Sequence, residues 1–389
     1  SVVDIEAGLD AAKRVEENSI VLLKNDQAVL PIDTTRIHSI AIIGGHADVG
    51  MISGGGSAQV DPPGGNAIMP PGKGATHWQE HIWFPTSPLK ALRAKLPTTK
   101  IDFDSGAAVE SAVSLARSSD LAIVFAYQWQ SEGMDMRNLS LPDNQDALIE
   151  QVAAANPHTI VVLETGTAVT MPWIDKVAGV VEAWYAGSAG HSALANVLVG
   201  DTNPSGKLAI SFPTSENDLP HPVIPALPPQ ARRRGTDSGM QLPDYAVNYD
   251  EGAAAGYKWY EVEHKQPLFA FGFGMSYTSY AYSGLSVDST AKTVRFTVKN
   301  SGKRAGTEIA EVYARLPKGS DESYKRLVGW TRVTLAAGES KTVTVEIDAR
   351  PLQTFDETNN KWNLAPGEYE VLAGASSDNT PLSGSLVVR

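Results

Sequence analysis

The chain contains no cysteine. Disulfides, thiolate nucleophiles and cysteine-based zinc sites are therefore excluded, while the redox compartment stays open. A basic stripe is also missing. Acidic side chains number 44 against 32 basic ones, a net charge of −12, which argues against a nucleic-acid partner. No apolar run approaches the roughly 18 residues of a membrane helix, so no membrane span is expected. No leader-like segment is visible, and a helical pattern begins almost at once after Ser1. The expectation is a processed product or fragment whose targeting information has been removed, secreted or periplasmic. Phosphate-binding signatures are absent too: neither G-x-G-x-x-G opening a helix nor G-K-[ST] occurs.

What is present is a long α/β alternation. The 389 residues suffice for two or three domains. Asp4 to Asn18 carries Ile5, Leu9, Ala12 and Val15 on one helical face. Strands are predicted at Ile20–Asn25 (or a helix extension), Ile37–Ile43, Lys100–Phe103, Leu121–Ala126, Thr159–Leu163 and Gly179–Ala183. Helices are predicted from Ser87, at Ala107–Ser118, Asp143–Asn156, Met171–Lys176 and Ser188–Val199. Such alternation means a mostly parallel sheet with helices on both faces.

The loop from Tyr127 to Pro142 stands out. It leaves the carboxyl end of a strand, where ligands bind in open α/β sheets. Glu132 lies in it with Trp129, Ser131, Gly133 and Met134. A carboxyl among apolar neighbours is raised in pKa by desolvation and becomes a candidate general acid. The plainer alternative is a solvated carboxylate. Glu164, at the end of the next strand, is expected to face the same cleft and is the second candidate.

Two further stretches need explaining. Gly54-Gly55-Gly56-Ser57-Ala58 follows a strand, either as a phosphate cradle or as a rim where glycine admits close backbone approach. The stretch from Asp61 to Thr86 is irregular and rich in proline and aromatics, the mark of a functional loop. Trp78 and Trp83 either stack on sugar rings or pin the loop to its own domain. His77 and His81 have metal-ligand spacing only on a helix, which the flanking prolines oppose. No metal and no cofactor is expected. Ser215 to Val247 forms a second proline-rich excursion. It contains Arg232-Arg233-Arg234, either a solvated turn or a contact for an acidic partner.

After Tyr280 the pattern changes to about seven short alternating strands in about 110 residues, which indicates a β-sandwich of immunoglobulin or fibronectin type III type. No cluster with catalytic character lies in it, so its expected role is packing support.

These motifs resemble glycoside hydrolase family 3 β-glucosidases. Ser131-Glu132-Gly133-Met134-Asp135-Met136-Arg137, with Leu139-Ser140-Leu141-Pro142 and Gln145, is similar to the family's S-E-G-x-D-R…L-x-L-P…Q stretch. Ser19 to Asn25 with Leu30-Pro31, Gly54 to Ala58, Gly200 to Leu208 and Phe271 to Thr278 match in the family's order. Met136 departs from the pattern, as does Ala186-Gly187-Ser188-Ala189-Gly190, where P-G-Q-E-G is common.

The resemblance implies an α/β sandwich with a mostly parallel sheet, followed by an all-β fibronectin type III-like sandwich. The implied division is 1–25, a linker helix from a missing N-terminal barrel; 26–275, the α/β domain with long loops at 61–86 and 215–247; and 276–389, the fibronectin type III-like domain. It implies Glu132 as the acid/base of a retaining β-glucosidase, with Trp78, Trp83, Trp129 and Ser131 as substrate-binding candidates. Asp135 and Arg137 are expected to pair and fix the loop. The nucleophilic aspartate belongs to a (β/α)8 barrel, and its S-D-W motif does not occur here. The implied partner is a barrel chain or fragment, the substrate a β-glucoside or oligosaccharide, and the chain alone is inactive. β-Xylosidase or α-L-arabinofuranosidase specificity is the alternative within the family. A non-catalytic carbohydrate-binding or scaffold protein is the alternative outside enzymology.

Overall fold

In the computed structural model, residues 3–57, 59, 62–67, 81–133, 136, 138–222, 248–320 and 322–389 are described. The expectations for Ala58, His77, Trp78, Met134, Asp135, Arg137 and the 232–234 arginines lie outside the described residues.

The first unit is built on β1 (Val21–Asn25), β2 (Ser39–Ile43), the short β3 (Met51–Ser53) and β4 (Ile82–Phe84), β5 (Lys100–Asp104), β6 (Leu121–Gln128), β7 (Thr159–Thr165) and β8 (Gly179–Glu182). Six of these form one sheet, in the order β1-β8-β7-β6-β2-β5. All neighbours in it are parallel except β1, which runs antiparallel to β8. The helices are α1 (Ile5–Ser19), α2 (Pro88–Lys95), α3 (Val109–Arg117), α4 (Gln145–Ala155) and α5 (Gly190–Val199).

Helices cover both faces, so the inner strands β2, β6, β7 and β8 are largely apolar on both sides and read as near-continuous runs, while the edge strand β5 alternates with charged residues. Ile123 and Phe125 of β6 pack with Leu92 of α2 and Leu194 of α5. Their neighbours Ala122, Val124 and Ala126 pack with Ala116 of α3 and Ile149 of α4. Helix α2 starts where Ser87 Oγ accepts from Lys90 N and Pro88 occupies the first turn, the expected signals.

Two local expectations give way. Met171–Lys176 is a helix only over Ile174–Lys176, as one 3-10 turn; six residues are too few to repay helix nucleation. Ile82–Phe84, inside the stretch expected to be irregular, pairs with Met51–Ser53 as antiparallel strands. Three residues give no alternation to detect.

The second unit contains β9 (Tyr280–Asp288), β10 (Thr293–Asn300), β11 (Gly306–Arg315), β12 (Lys325–Leu335), β13 (Ser340–Glu346), the small hairpin β14 (Thr354–Asp356) and β15 (Lys361–Asn363), β16 (Gly367–Gly374) and β17 (Leu382–Val388). Sheets β13-β10-β9 and β12-β11-β16-β17 enclose Phe296, Val298, Val312, Tyr369 and Val371, the two-sheet sandwich that was expected.

The joint between the units uses the Gly200–Leu208 and Phe271–Thr278 motifs. Asn203 Oδ1 accepts from Ser276 Oγ at 2.8 Å and from Tyr277 N at 2.7 Å. Its amide donates to the Ala305 carbonyl at 2.9 Å. A Cβ on Gly274 would lie 2.1 Å from the Gly206 carbonyl oxygen, and one on Gly206 2.4 Å from the Ser19 and Ile20 carbonyl oxygens, so each close approach requires glycine at its position.

Candidate active site

Strand order locates the crevice. From β2 the chain moves outward to β5, then crosses to β6 and continues through β7 and β8 on the other side. The reversal lies between β2 and β6, and ligands in open α/β sheets bind outside the carboxyl ends of strands at such a point. Two loops flank it: the glycine-rich loop after β2 and the loop after β6.

Tyr185 fixes the exit from β6. Its hydroxyl donates to the Gln128 carbonyl and accepts from Gln130 N, both at 2.8 Å. The glycine-rich loop then adds a strand-like edge. Gly55 N donates to the Gln130 carbonyl at 2.9 Å, and Gly55 and Ser131 form an isolated parallel bridge. A Cβ at Gly54 would lie 2.9 Å from the Tyr185 ring, one at Gly55 2.6 Å from the Trp129 ring, and one at Gly56 2.3 Å from Cβ of Glu132. Gly56 also has φ +87°. The run is glycine because another segment presses on it at three successive positions, which supports the close-packed rim.

Glu132 stands on this edge, exposed to solvent. Ser57 N donates to its Oε2 at 2.7 Å, and Ser57 Oγ donates to the same oxygen. The two donors, the hydroxyl foremost, hold the carboxyl below the usual carboxylate range, and desolvation opposes them only weakly. The expected upward shift is thus corrected. No described residue lies within 4 Å of where a Cβ on Gly133 would sit, and a carboxylate open to water with two donors favours its charged form.

The other candidates separate. Trp83, in β4, is only 3% exposed. It stacks on His46 with ring centroids 4.2 Å apart and meets Tyr127 edge-on at 5.3 Å, so it acts as a pin for its loop. Burial lowers the pKa of His46 and keeps this stack neutral. Trp129 is half-buried and tilts against His81 at 4.6 Å. Its indole Nε1 is buried without a partner among the described residues. Ser131 is buried, and its hydroxyl donates to the Glu132 carbonyl at 3.4 Å.

Glu164 does not face the cleft. It is 1% exposed, and its Oε2 accepts from Ile52 N in β3 at 2.9 Å. Burial raises it to about 8, helped by the nearby Glu16. Glu16 of α1 is itself raised to about 8 by burial. Glu182 is raised well above the carboxylate range by burial, although Trp184 N and Thr165 Oγ1 donate to it. Sequence reasoning missed this buried carboxyl group of three. Its one signal was an acidic residue ending each of two fully apolar strands. Among the described residues no cluster of acidic and histidine side chains is arranged to hold a metal ion.

Known proteins resemble this chain along its length. Residues 20–277 match the glycosyl hydrolase family 3 C-terminal domain, and residues 308–377 the fibronectin type III-like domain. Thermostable beta-glucosidase B of Acetivibrio thermocellus is 36% identical over 99% of this chain and 49% of its own length. An exo-alpha-(1->6)-L-arabinopyranosidase of Bifidobacterium longum is 33% identical over 96% of this chain and 48% of its own. The crystal structure of DesR, a beta-glucosidase from Streptomyces venezuelae, superposes with a TM-score of 0.82 at 30% identity, covering 99% of this chain and 60% of that one. The chain thus spans about half the length of the curated relatives it matches.

Proposed function

Because the chain belongs to glycosyl hydrolase family 3, we propose that it presents the general acid/base of a retaining glycosidase, and that Glu132 is that group. The observation that carries this reading is a solvent-open carboxylate held at the carboxyl ends of β6 and β2 by a loop built to fit it.

Retaining hydrolysis needs a second carboxyl about 5–5.5 Å away as nucleophile. No charged side chain among the described residues perturbs Glu132. By the family resemblance, we assign the nucleophile to a (β/α)8 barrel that docks over this edge. Docking removes water from Glu132 and raises its pKa toward the range a general acid needs. The depressed value in this chain is that of the uncovered carboxylate. Alone, the chain turns over no glycoside.

β-Glucosides are the substrates favoured by the beta-glucosidase relatives. The arabinopyranosidase relatives keep a pentopyranoside as the second reading. In the complete enzyme, Glu132→Ala should slow glycosides with poor leaving groups by about 10²–10⁴-fold. Activated aryl glycosides should suffer far less, and azide should restore turnover by attacking the glycosyl-enzyme without base assistance. Equal loss on both substrate types without azide rescue would overturn the assignment.

A further inference from the structure

Ser57 approaches Glu132 from 75 positions earlier in the chain and places two donors on one carboxyl oxygen, Oε2. Oε1 accepts no hydrogen bond among the described residues. One of the two donors is a backbone N–H, which can only donate. A proton on Oε2 would set two hydrogens against each other. The Ser57 amide cannot withdraw freely, because the stretch leading into it is fixed. Gly55 is bonded to Gln130, Gly56 lies against Glu132 with no room for a side chain, and further back Ile52 N is held by Glu164.

We propose that Ser57 is a positioning residue that divides the labour of the Glu132 oxygens: Oε2 is the anchored oxygen, and Oε1 carries the transferable proton. This rests on Glu132 being the acid/base. In the first half-reaction the Oε1–H bond breaks and its proton goes to the glycosidic oxygen. The bond from that oxygen to the anomeric carbon breaks with its electron pair leaving on oxygen, and the nucleophilic carboxylate bonds to the same carbon. In the second half-reaction Oε1 takes a proton from water as the water oxygen bonds to the anomeric carbon and the glycosyl–carboxylate bond breaks. Ser57 touches no reacting atom. It fixes which oxygen faces the leaving group, and both its donors favour the charged form that acts as base.

The groups facing the carboxyl from its supporting elements bear on any pH effect. The glycine-rich loop offers no titratable side chain from Gly54 to Ser57. Tyr185 packs behind the loop, its hydroxyl pushed up by burial. His81 tilts against the Trp129 ring with centroids 4.6 Å apart.

Two measurements test the proposal. In this chain, titration of the Glu132 carboxyl carbon by NMR should give a midpoint that rises by about one pH unit in Ser57→Ala. It should return to the parent value in Ser57→Thr, which keeps the hydroxyl. An unchanged midpoint in Ser57→Ala overturns the proposal, whatever Glu132 does. In the complete enzyme, the basic limb of the kcat/KM–pH profile on a poor-leaving-group glycoside should move upward by a similar amount in Ser57→Ala and return in Ser57→Thr. The limb should vanish in Glu132→Gln. A limb that survives Glu132→Gln refutes the acid/base reading. A limb that depends on Glu132 but ignores Ser57→Ala refutes only the role of Ser57.

Discussion

Oε2 of Glu164 accepts a hydrogen bond from the backbone N–H of Ile52 at 2.9 Å, while Oε1 of the same buried carboxyl has no partner among the described residues. A protonated carboxyl suits this position, because it satisfies the β3 amide without placing a charge in the interior. The glycine-rich rim therefore hangs from the sheet by a neutral acid.

That geometry fixes a pH dependence. Burial raises both Glu164 and Glu16 to about 8, against ordinary values of 4.5. Between pH 4.5 and 8 the folded chain holds protons that the unfolded chain has released. Stability conferred by these groups is full below pH 4.5 and is lost as pH climbs through 8. Thermal melts should show the transition temperature falling from pH 5 to pH 9. Glu164→Gln keeps an acceptor for Ile52 and removes the titration. Its gain over the parent should be larger at pH 9 than at pH 5 by at least about 2–4 °C. A constant offset at both pH values would show that Glu164 does not titrate in this range.

Trp83 and Trp129 should respond differently to truncation. Trp83→Ala empties a buried stack against His46 and Tyr127 and should cost about 3–5 kcal/mol in denaturant unfolding. Trp129 is half-buried beside the crevice. Trp129→Ala should cost less stability and instead raise KM for aryl glycosides in the complete enzyme. Matching stability losses with KM unmoved would remove Trp129 from the substrate wall.

Lys207 and Glu308 pair at 3.4 Å at the joint between the two units, with side chains only 9% and 5% exposed. Tyr282 also donates to Glu308 at 2.6 Å. Burial raises the Glu308 carboxyl, and Lys207 opposes that rise. Lys207→Met strands a buried acid and should cost about 3–5 kcal/mol at neutral pH. The loss should shrink as pH falls, because burial already raises this carboxyl and it protonates more readily than an ordinary one. Lys207→Met with Glu308→Gln should recover most of it. A denaturant series on the parent, both single variants and the double variant would measure the coupling directly, and additive losses would dismiss the pair.

The order of elements in the first unit was legible because its inner strands are apolar on both faces and its helices on one. Gly200–Leu208 and Phe271–Thr278 were recognisable as motifs, but their function as a joint emerged only where Asn203 met Ser276 and Tyr277. Trp83 could be read as a sugar platform or as a pin. Deciding between them required His46 to stack on it from another segment.

Local sequence was enough to determine the two architectures and to single out Glu132 at the end of a central strand. Strand runs, caps and turn residues act within a few positions, and their physics is written along the chain. Tertiary structure alone decided the environment of each carboxyl. Glu132 is held charged by Ser57, which reaches it from 75 residues away, and Glu164 is neutral because burial raises it despite the donor that Ile52 brings from 112 residues away. Desolvation and hydrogen bonding from distant segments set a carboxyl's proton affinity, and no pattern along the chain encodes which segments will meet.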